Sequence, residues 1–375
     1  MVVEIRPVQS RAERRAFVRF PWKIYAGRYP AWVPPLLSEE RKRIDPNRNP
    51  FYEHGAVQLF LAFRDGRVVG RIAAIENALH NEFHGDRVGF FGLFEAVDEP
   101  RVANALLDRA ADWVEGRGLD RLRGPTNFST NEDCGLLVEN FDDPPMVMMP
   151  YNPPYYESLL TGWGLAKVKD LLAHKGTEEI FDKKRFDAIE RRIKRSEPRV
   201  AVRGLRMDRF AEEVDLIRDL YNAAWEKNWG FVPMTDAEVD HMAKQLKPIV
   251  DPDLALIGEH DGEPVGFALA LPDVNQAIRH VNGRLFPFGI FKLFWYIRRI
   301  NGIRIITLGL KPEYRKSGVA SLLYSEIFRR GTGKGHTWGE SSWVLEDNQA
   351  MLSGLEKMRF WRYKTYRLYE KALQE

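Results

Sequence analysis

The chain has 375 residues, of which 44% are apolar and 29% charged, with 56 Lys and Arg against 53 Asp and Glu. That mix supports sizeable cores and excludes a disordered or fibrous chain, and a net charge of only +3 excludes a polycationic nucleic-acid binder, so an anionic partner has to be met locally. One cysteine, Cys134, rules out an internal disulfide framework and a cysteine-rich zinc site, and the eight histidines form no metal-binding array, so no metal is expected.

The length exceeds what one core usually reaches and predicts two domains. The first residues, MVVEIRPVQSRAERRAF, lack the continuous apolar core of a secretory signal, and a cytoplasmic location is expected. Residues 57–64 and 67–75, rich in β-branched and aromatic side chains on either side of Asp65-Gly66, predict a hairpin, followed by a strand at 88–95. Pro100 opens a helical pattern with Val102, Ala105, Leu106, Ala110, Trp113 and Val114 on one face, ending at Gly116 and Gly118.

Between that strand and helix runs EAVDEPRVAN, whose acids and proline would repel a phosphate. The polar run 124–156 then offers Asn127, Asn131, Asp133 and Tyr151 as groups for a polar substrate. The same side chains can instead tie the loop to itself. Residues 176–198 place Phe181, Phe186, Ile189 and Ile193 on one helical face among many Lys and Arg, as in a linker helix with a solvated basic side.

A second hairpin, 253–259 and 263–271 about the turn 260–262, repeats the order of the first half, and a strand at 304–310 and a helix at 319–328 follow. The shared order predicts an α/β (α+β) fold of two similar domains, 1–175 and 199–375, joined by 176–198. Within the second lies the insertion 275–301, whose apolar stretch 285–297 is interrupted by Pro287 and Lys292 and falls short of the roughly 20 residues of a spanning helix. It reads as a packed helix between domains, a lid over an acyl chain, or a membrane-surface helix over 285–300 whose arginines meet lipid phosphates.

The sharpest signal is 303–328, where IRIITLGL passes through Lys311-Pro312-Glu313-Tyr314 and RKSGVA directly into a helix. Free backbone N–H groups and the positive end of a helix dipole suit a pyrophosphate there. Gly318 and Ala320 allow close approach, and Arg315 and Lys316 add charge.

These residues resemble the coenzyme A motif of the GNAT acyltransferases, Arg or Gln, two residues, Gly, one residue, Gly or Ala, which Arg315, Gly318 and Ala320 match in register. Downstream, WGESSWVL at 338–345 stands for the family's fifth strand, Asn348 for the asparagine opening the next helix, and LEKMRF at 355–360 for that helix's end. The resemblance implies that Leu308, Leu310, Arg315, Lys316, Ser317, Gly318, Val319, Ala320 and Asn348 hold acetyl-CoA or a longer acyl-CoA. Leu355 stands where many members carry a proton-donating tyrosine, and Arg359 where they carry glycine. Glu340 is the candidate base, with a salt-bridged structural glutamate as the other reading. Glu346 and Asp347 read as helix-start residues.

The run 124–156, ESSWVLEDN at 340–348 and YKTYRLYEK at 363–371 resemble bacterial tandem GNAT-like proteins over nearly the whole chain. That resemblance implies a first domain that keeps the fold without a coenzyme A site, as in the N-myristoyltransferases and peptidoglycan-bridge aminoacyl transferases. It implies an acyl-CoA-dependent N-acyltransferase, foremost an N-acetyltransferase, acting on a small-molecule or peptide amine, with no nucleic-acid partner. The alternatives are an aminoacyl-tRNA-dependent transferase of the peptidoglycan-bridge type and a non-catalytic acyl-CoA binder.

Overall fold

Asp65 and Gly66 adopt φ of 49° and 72°, and Asp261 and Gly262 φ of 53° and 81°, the left-handed pair that a two-residue hairpin turn needs to match strand twist. The computed structural model, which describes residues 2–180, 183–226 and 228–373, thus starts each of its two compact units from the same hairpin. One unit comprises Met1–Leu171, Ala277–Trp295 and Lys364–Glu375, the other Leu172–Gln276 and Tyr296–Tyr363.

The first unit contains β1 (Glu4–Pro7), α1 (Arg11–Tyr25), α2 (Leu37–Arg43), β2 (Gly55–Arg64), β3 (Arg67–Asn77), α3 (Ala78–His84), β4 (Val88–Ala96), α4 (Pro100–Glu115), β5 (Arg121–Gly124), β6 (Leu136–Leu137) and α5 (Tyr156–Gly162). β1 to β4 pair antiparallel in chain order, and β4 pairs parallel with β5. Alternation along β2 sends Phe60 and Ala62 to the side covered by Val102, Leu106, Ala110 and Val114 of α4. Leu59 and Leu61 go to the other side, against Phe17 and Val18 of α1.

From β7 (Ala166–Thr177) the chain enters the second unit: α6 (Lys183–Ser196), β8 (Val200–Gly204), α7 (Phe210–Trp225), α8 (Asp236–Leu246), β9 (Ala255–His260) and β10 (Glu263–Pro272). Then come α9 (Asn275–Ile278), α10 (Gly289–Ile297), β11 (Gly302–Leu310), α11 (Val319–Gly333), β12 (Trp338–Leu345), α12 (Gln349–Lys357) and β13 (Trp361–Ala372). β8 to β11 pair antiparallel in chain order and β11 pairs parallel with β12. Val319, Leu323 and Ile327 of α11 bury against one face of this sheet, and Leu220 of α7 against Ile257 and Phe267 on the other.

The mixed α/β class is the one expected from the sequence. The boundaries differ: 277–295 and 364–375 count with the first unit. Their ties are long-range ones that no local pattern announces, such as Lys371 opposite Leu122 in the β13–β5 ladder and the Trp22 indole donating to Asn282 Oδ1 at 2.8 Å. The segment 176–198 includes α6, whose Phe186 is buried 5.7 Å from the Phe328 ring. Ile193 packs beside it, so this side of α6 belongs to the second unit's core; Phe181 lies outside the described residues. In α10 no residue is buried, which departs from the packed-helix reading of the insertion. Among the described residues no helix is long and apolar enough to cross a membrane.

Candidate active site

β11 and β12 run in register from Gly302↔Trp338 only as far as Ile305↔Ser341. β11 continues to Leu310, still paired with β10 on its other edge, and β12 to Leu345, and these remainders, no longer paired with each other, line a cavity of about 770 Å³ together with α7, α11 and α12. On the side away from β10, β11 has no strand partner over 306–310 among the described residues, and an open strand edge carries N–H and C=O groups that seek partners. Gly309 is required for α7 to lie this close: a Cβ there would come 2.1 Å from the Trp225 ring.

The predicted phosphate loop follows β11. Pro312–Tyr314 makes a tight turn, the Ser317 hydroxyl donates to the Tyr314 carbonyl at 2.7 Å, and Gly318, at φ 81°, opens α11. Only glycine takes that backbone conformation at no steric cost. Gly318 itself offers no capping side chain, and the Ser317 hydroxyl, 3.4 Å from Val319 N, accepts from the first helical N–H, so the loop and the positive end of α11 come together at this point.

Of the residues assigned to coenzyme A, Leu308, Leu310, Arg315, Ala320 and Asn348 line the cavity. Arg315 is exposed, with Nη2 donating to the Ala224 carbonyl at 3.3 Å. Lys316 is exposed beside it, while Ser317 and Gly318 shape the loop without lining the cavity. Val319 is fully buried in the core, touching the place where a Gly258 side chain would be, so its part is packing. Asn348 Oδ1 accepts from Met351 N at 3.2 Å, capping α12.

Glu340 is fully buried and does not itself line the cavity. Its carboxylate accepts hydrogen bonds from Ser342 Oγ and the Tyr363 hydroxyl and lies 4.0 Å from Arg304 Nε. Arg304, also buried, donates from Nε to Ser342 Oγ at 2.8 Å and from Nη2 to the Ser342 carbonyl at 3.2 Å. Ser342 does line the cavity, and its hydroxyl is hydrogen-bonded to the carboxylate.

Leu355, at the position of the family tyrosine, is fully buried in the core. Arg359 sits at φ 65°, just past α12, which explains why glycine is usual there. A tyrosine does line the cavity, on a different helix. The Tyr324 hydroxyl donates to Met351 Sδ at 3.2 Å, and burial of the ring pushes its pKa up to about 12, with a hydrogen bond to Ser341 pulling the other way. Sequence reasoning missed it, although Tyr324 lies one helical turn beyond Ala320, on the same face of α11.

The polar candidates of the first unit do not line this cavity, and each is held within its own unit. Asn127 Oδ1 accepts from Leu93 N at 2.8 Å, Asp133 pairs with Arg43 at 3.0 Å, Asn131 N donates to Ser129 Oγ at 3.0 Å, and the Tyr151 hydroxyl donates to the Phe141 carbonyl at 3.0 Å. Between β4 and α4, Glu99 precedes Pro100 and pairs with Arg64, where α11 instead begins on glycine.

Residues 214–360 match the model of the Acetyltransferase (GNAT) family. The chain is 40% identical over 379 residues to the bacterial ceramide synthase of Caulobacter vibrioides (strain NA1000 / CB15N), covering 99% of this chain and 98% of that one. It is 36% identical over 378 residues to Protein YghO of Escherichia coli (strain K12), covering 98% and 95%. A solved tandem GNAT protein from the clavulanic acid biosynthesis pathway superimposes with a TM-score of 0.58 over 100% of this chain and 99% of that one. A GCN5-related N-acetyltransferase from Sphaerobacter thermophilus gives 0.53 over 100% and 96%. Both are 12% identical and speak to the fold alone.

Proposed function

Because this chain belongs to the GNAT family and is an acyltransferase, we propose that it transfers a long-chain acyl group from acyl-CoA to the amine of a sphingoid-type amino alcohol. The observation that carries this reading is the parting of β11 and β12 into a cavity whose lining includes Arg315, Tyr324 and Ser342. Likeness to a protein named bacterial ceramide synthase supports the amide product, since a ceramide is an N-acylated sphingoid base. It also favours a long acyl chain over acetyl.

Arg315 and the start of α11 hold the pyrophosphate. The edge of β11 turned away from β10, without a strand partner over 306–310 among the described residues, pairs with the amides of the extended pantetheine arm. Ser342 Oγ, held by Arg304, takes the ammonium proton and passes its own to Glu340, freeing the amine to attack the thioester carbonyl. The C–N bond forms as the C–S bond breaks, and the nitrogen sheds its second proton to solvent as the amide forms, which allows the tyrosinate left by proton donation to be reprotonated. Tyr324, protonated at neutral pH as a tyrosine ordinarily is, gives its proton to the departing thiolate.

The loop 315–320 favours a coenzyme A donor over an aminoacyl-tRNA, and the family's chemistry sets aside a non-catalytic binder. Acetyl-CoA and palmitoyl-CoA are each incubated with the protein and a sphingoid base, with thiol release and amide mass followed together. One thiol per amide, with palmitoyl-CoA preferred, is expected; absence of amide with both donors would refute the proposal.

A further inference from the structure

Between Asp273 and Glu313 the sequence contains no acidic residue, while Arg279, Arg284, Lys292, Arg298 and Arg299 bring five cations ahead of β11. Into this stretch falls the most apolar surface of the chain. Phe286, Phe288, Phe291, Phe294 and Trp295 are 78, 73, 71, 62 and 61% exposed, and Ile297 38%. These are six of the nine large apolar side chains exposed among the described residues, and single exposed apolar side chains need no explanation whereas a contiguous group does.

The spacing adds direction. On α10, Phe291, Phe294 and Trp295 follow one another at i, i+3 and i+4, and Arg298 lies in the turn just past the helix end, so a stripe of aromatic rings is followed at once by a guanidinium. Lys292 and Arg299 are exposed beside it. On the same helix Ile290, Leu293 and Tyr296 are half-buried, so the stripe of aromatic rings is the more exposed side of α10. A water-facing helix in an ordinary globular domain has the opposite arrangement.

We propose that segment 284–299 is a docking surface for an anionic phospholipid bilayer, with the aromatic rings at the level of the headgroups and the arginines on lipid phosphates. Aromatic side chains favour that boundary because one molecule offers them both an apolar layer and polar partners, and basic side chains are drawn to the negative surface potential. Charge decides between occupants. A second copy of the chain in a two-fold arrangement would bring the same cations face to face, whereas an anionic bilayer neutralises all of them.

The test reads binding and does not depend on which amine is acylated. The full chain is floated with vesicles of phosphatidylcholine, with or without phosphatidylglycerol, at low and high salt. Flotation with the anionic vesicles only, weakened by salt, is expected. Arg298→Glu with Arg299→Glu should lower partitioning at least about 25-fold, roughly fivefold for each cation removed. Phe291→Ser with Phe294→Ser should abolish flotation at high and low salt alike, and both pairs are exposed enough to leave the circular dichroism spectrum unchanged. Equal flotation with neutral vesicles, no flotation at all, or wild-type behaviour of both double variants would overturn the proposal. So would light scattering that shows a dimer which the phenylalanine variant dissociates.

Discussion

The Tyr324 hydroxyl donates to the Met351 sulfur at 3.2 Å, which joins a side chain of α11 to one of α12 inside the cavity. Tyr324→Phe keeps the ring and removes only the proton donor. We expect kcat to fall by about 10²–10⁴ with the KM for acyl-CoA little changed, measured in steady state. Stability should drop by no more than about 1 kcal/mol, the worth of one hydrogen bond. Unchanged turnover would place the proton donor elsewhere.

Ser342 and Glu340 separate a relay from a scaffold. Ser342→Ala leaves the Glu340 carboxylate beside Arg304 and should lower turnover while the fold survives. Glu340→Gln removes the charge opposite a buried guanidinium and should cost about 3 kcal/mol in urea unfolding as well as activity. If Ser342→Ala turns over at the wild-type rate, the carboxylate is structural.

Gly318 tests the donor site. Gly318→Glu puts an anion and a strained left-handed residue at the start of α11 and should abolish coenzyme A binding in calorimetric titration. Gly318→Asn, tolerated at positive φ and uncharged, should bind more weakly but measurably. Equal affinities for the two variants would move the pyrophosphate away from this loop.

His80 makes the first unit acid-sensitive. Burial lowers its pKa to about 4, with His84 and Arg123 adding to the effect and Asp86 opposing it. The folded chain then binds fewer protons than the unfolded one between about pH 6.5 and 4, so stability falls as pH falls through that window. At about 1.4 kcal/mol per pKa unit the loss approaches roughly 3 kcal/mol by pH 4. His80→Phe should flatten that slope in urea titrations run across the window, and an unaltered slope would assign the sensitivity to other groups.

Much of the fold was legible because it rests on local rules. Asp65-Gly66 and Asp261-Gly262 announce their hairpins through turn chemistry, and the stripe from Val102 to Val114 announces α4 through its period. Of the candidate site, the sequence offered the loop at Arg315 to Ala320, since a glycine before a helix has a physical signature. It hid what depends on burial and distance. Nothing around Glu340 declares that its carboxylate is fully enclosed, or that Ser342, which lines the cavity, is hydrogen-bonded to it. Tyr324 was obscured differently: the expected tyrosine position, Leu355, drew attention to α12.

The short β11–β12 ladder has a consequence for how such a chain can diversify. Four paired positions hold the two strands together, and past Ile305 and Ser341 the residues of both line the cavity. Amide groups are the same whatever side chain they carry, so on the proposed reading a replacement at Thr307 or Leu308 changes the shape of the cavity while leaving the main-chain pairing with the carrier in place. On that reading cavity shape and carrier affinity rest on different groups of the same residues, so the first can change while the second is kept.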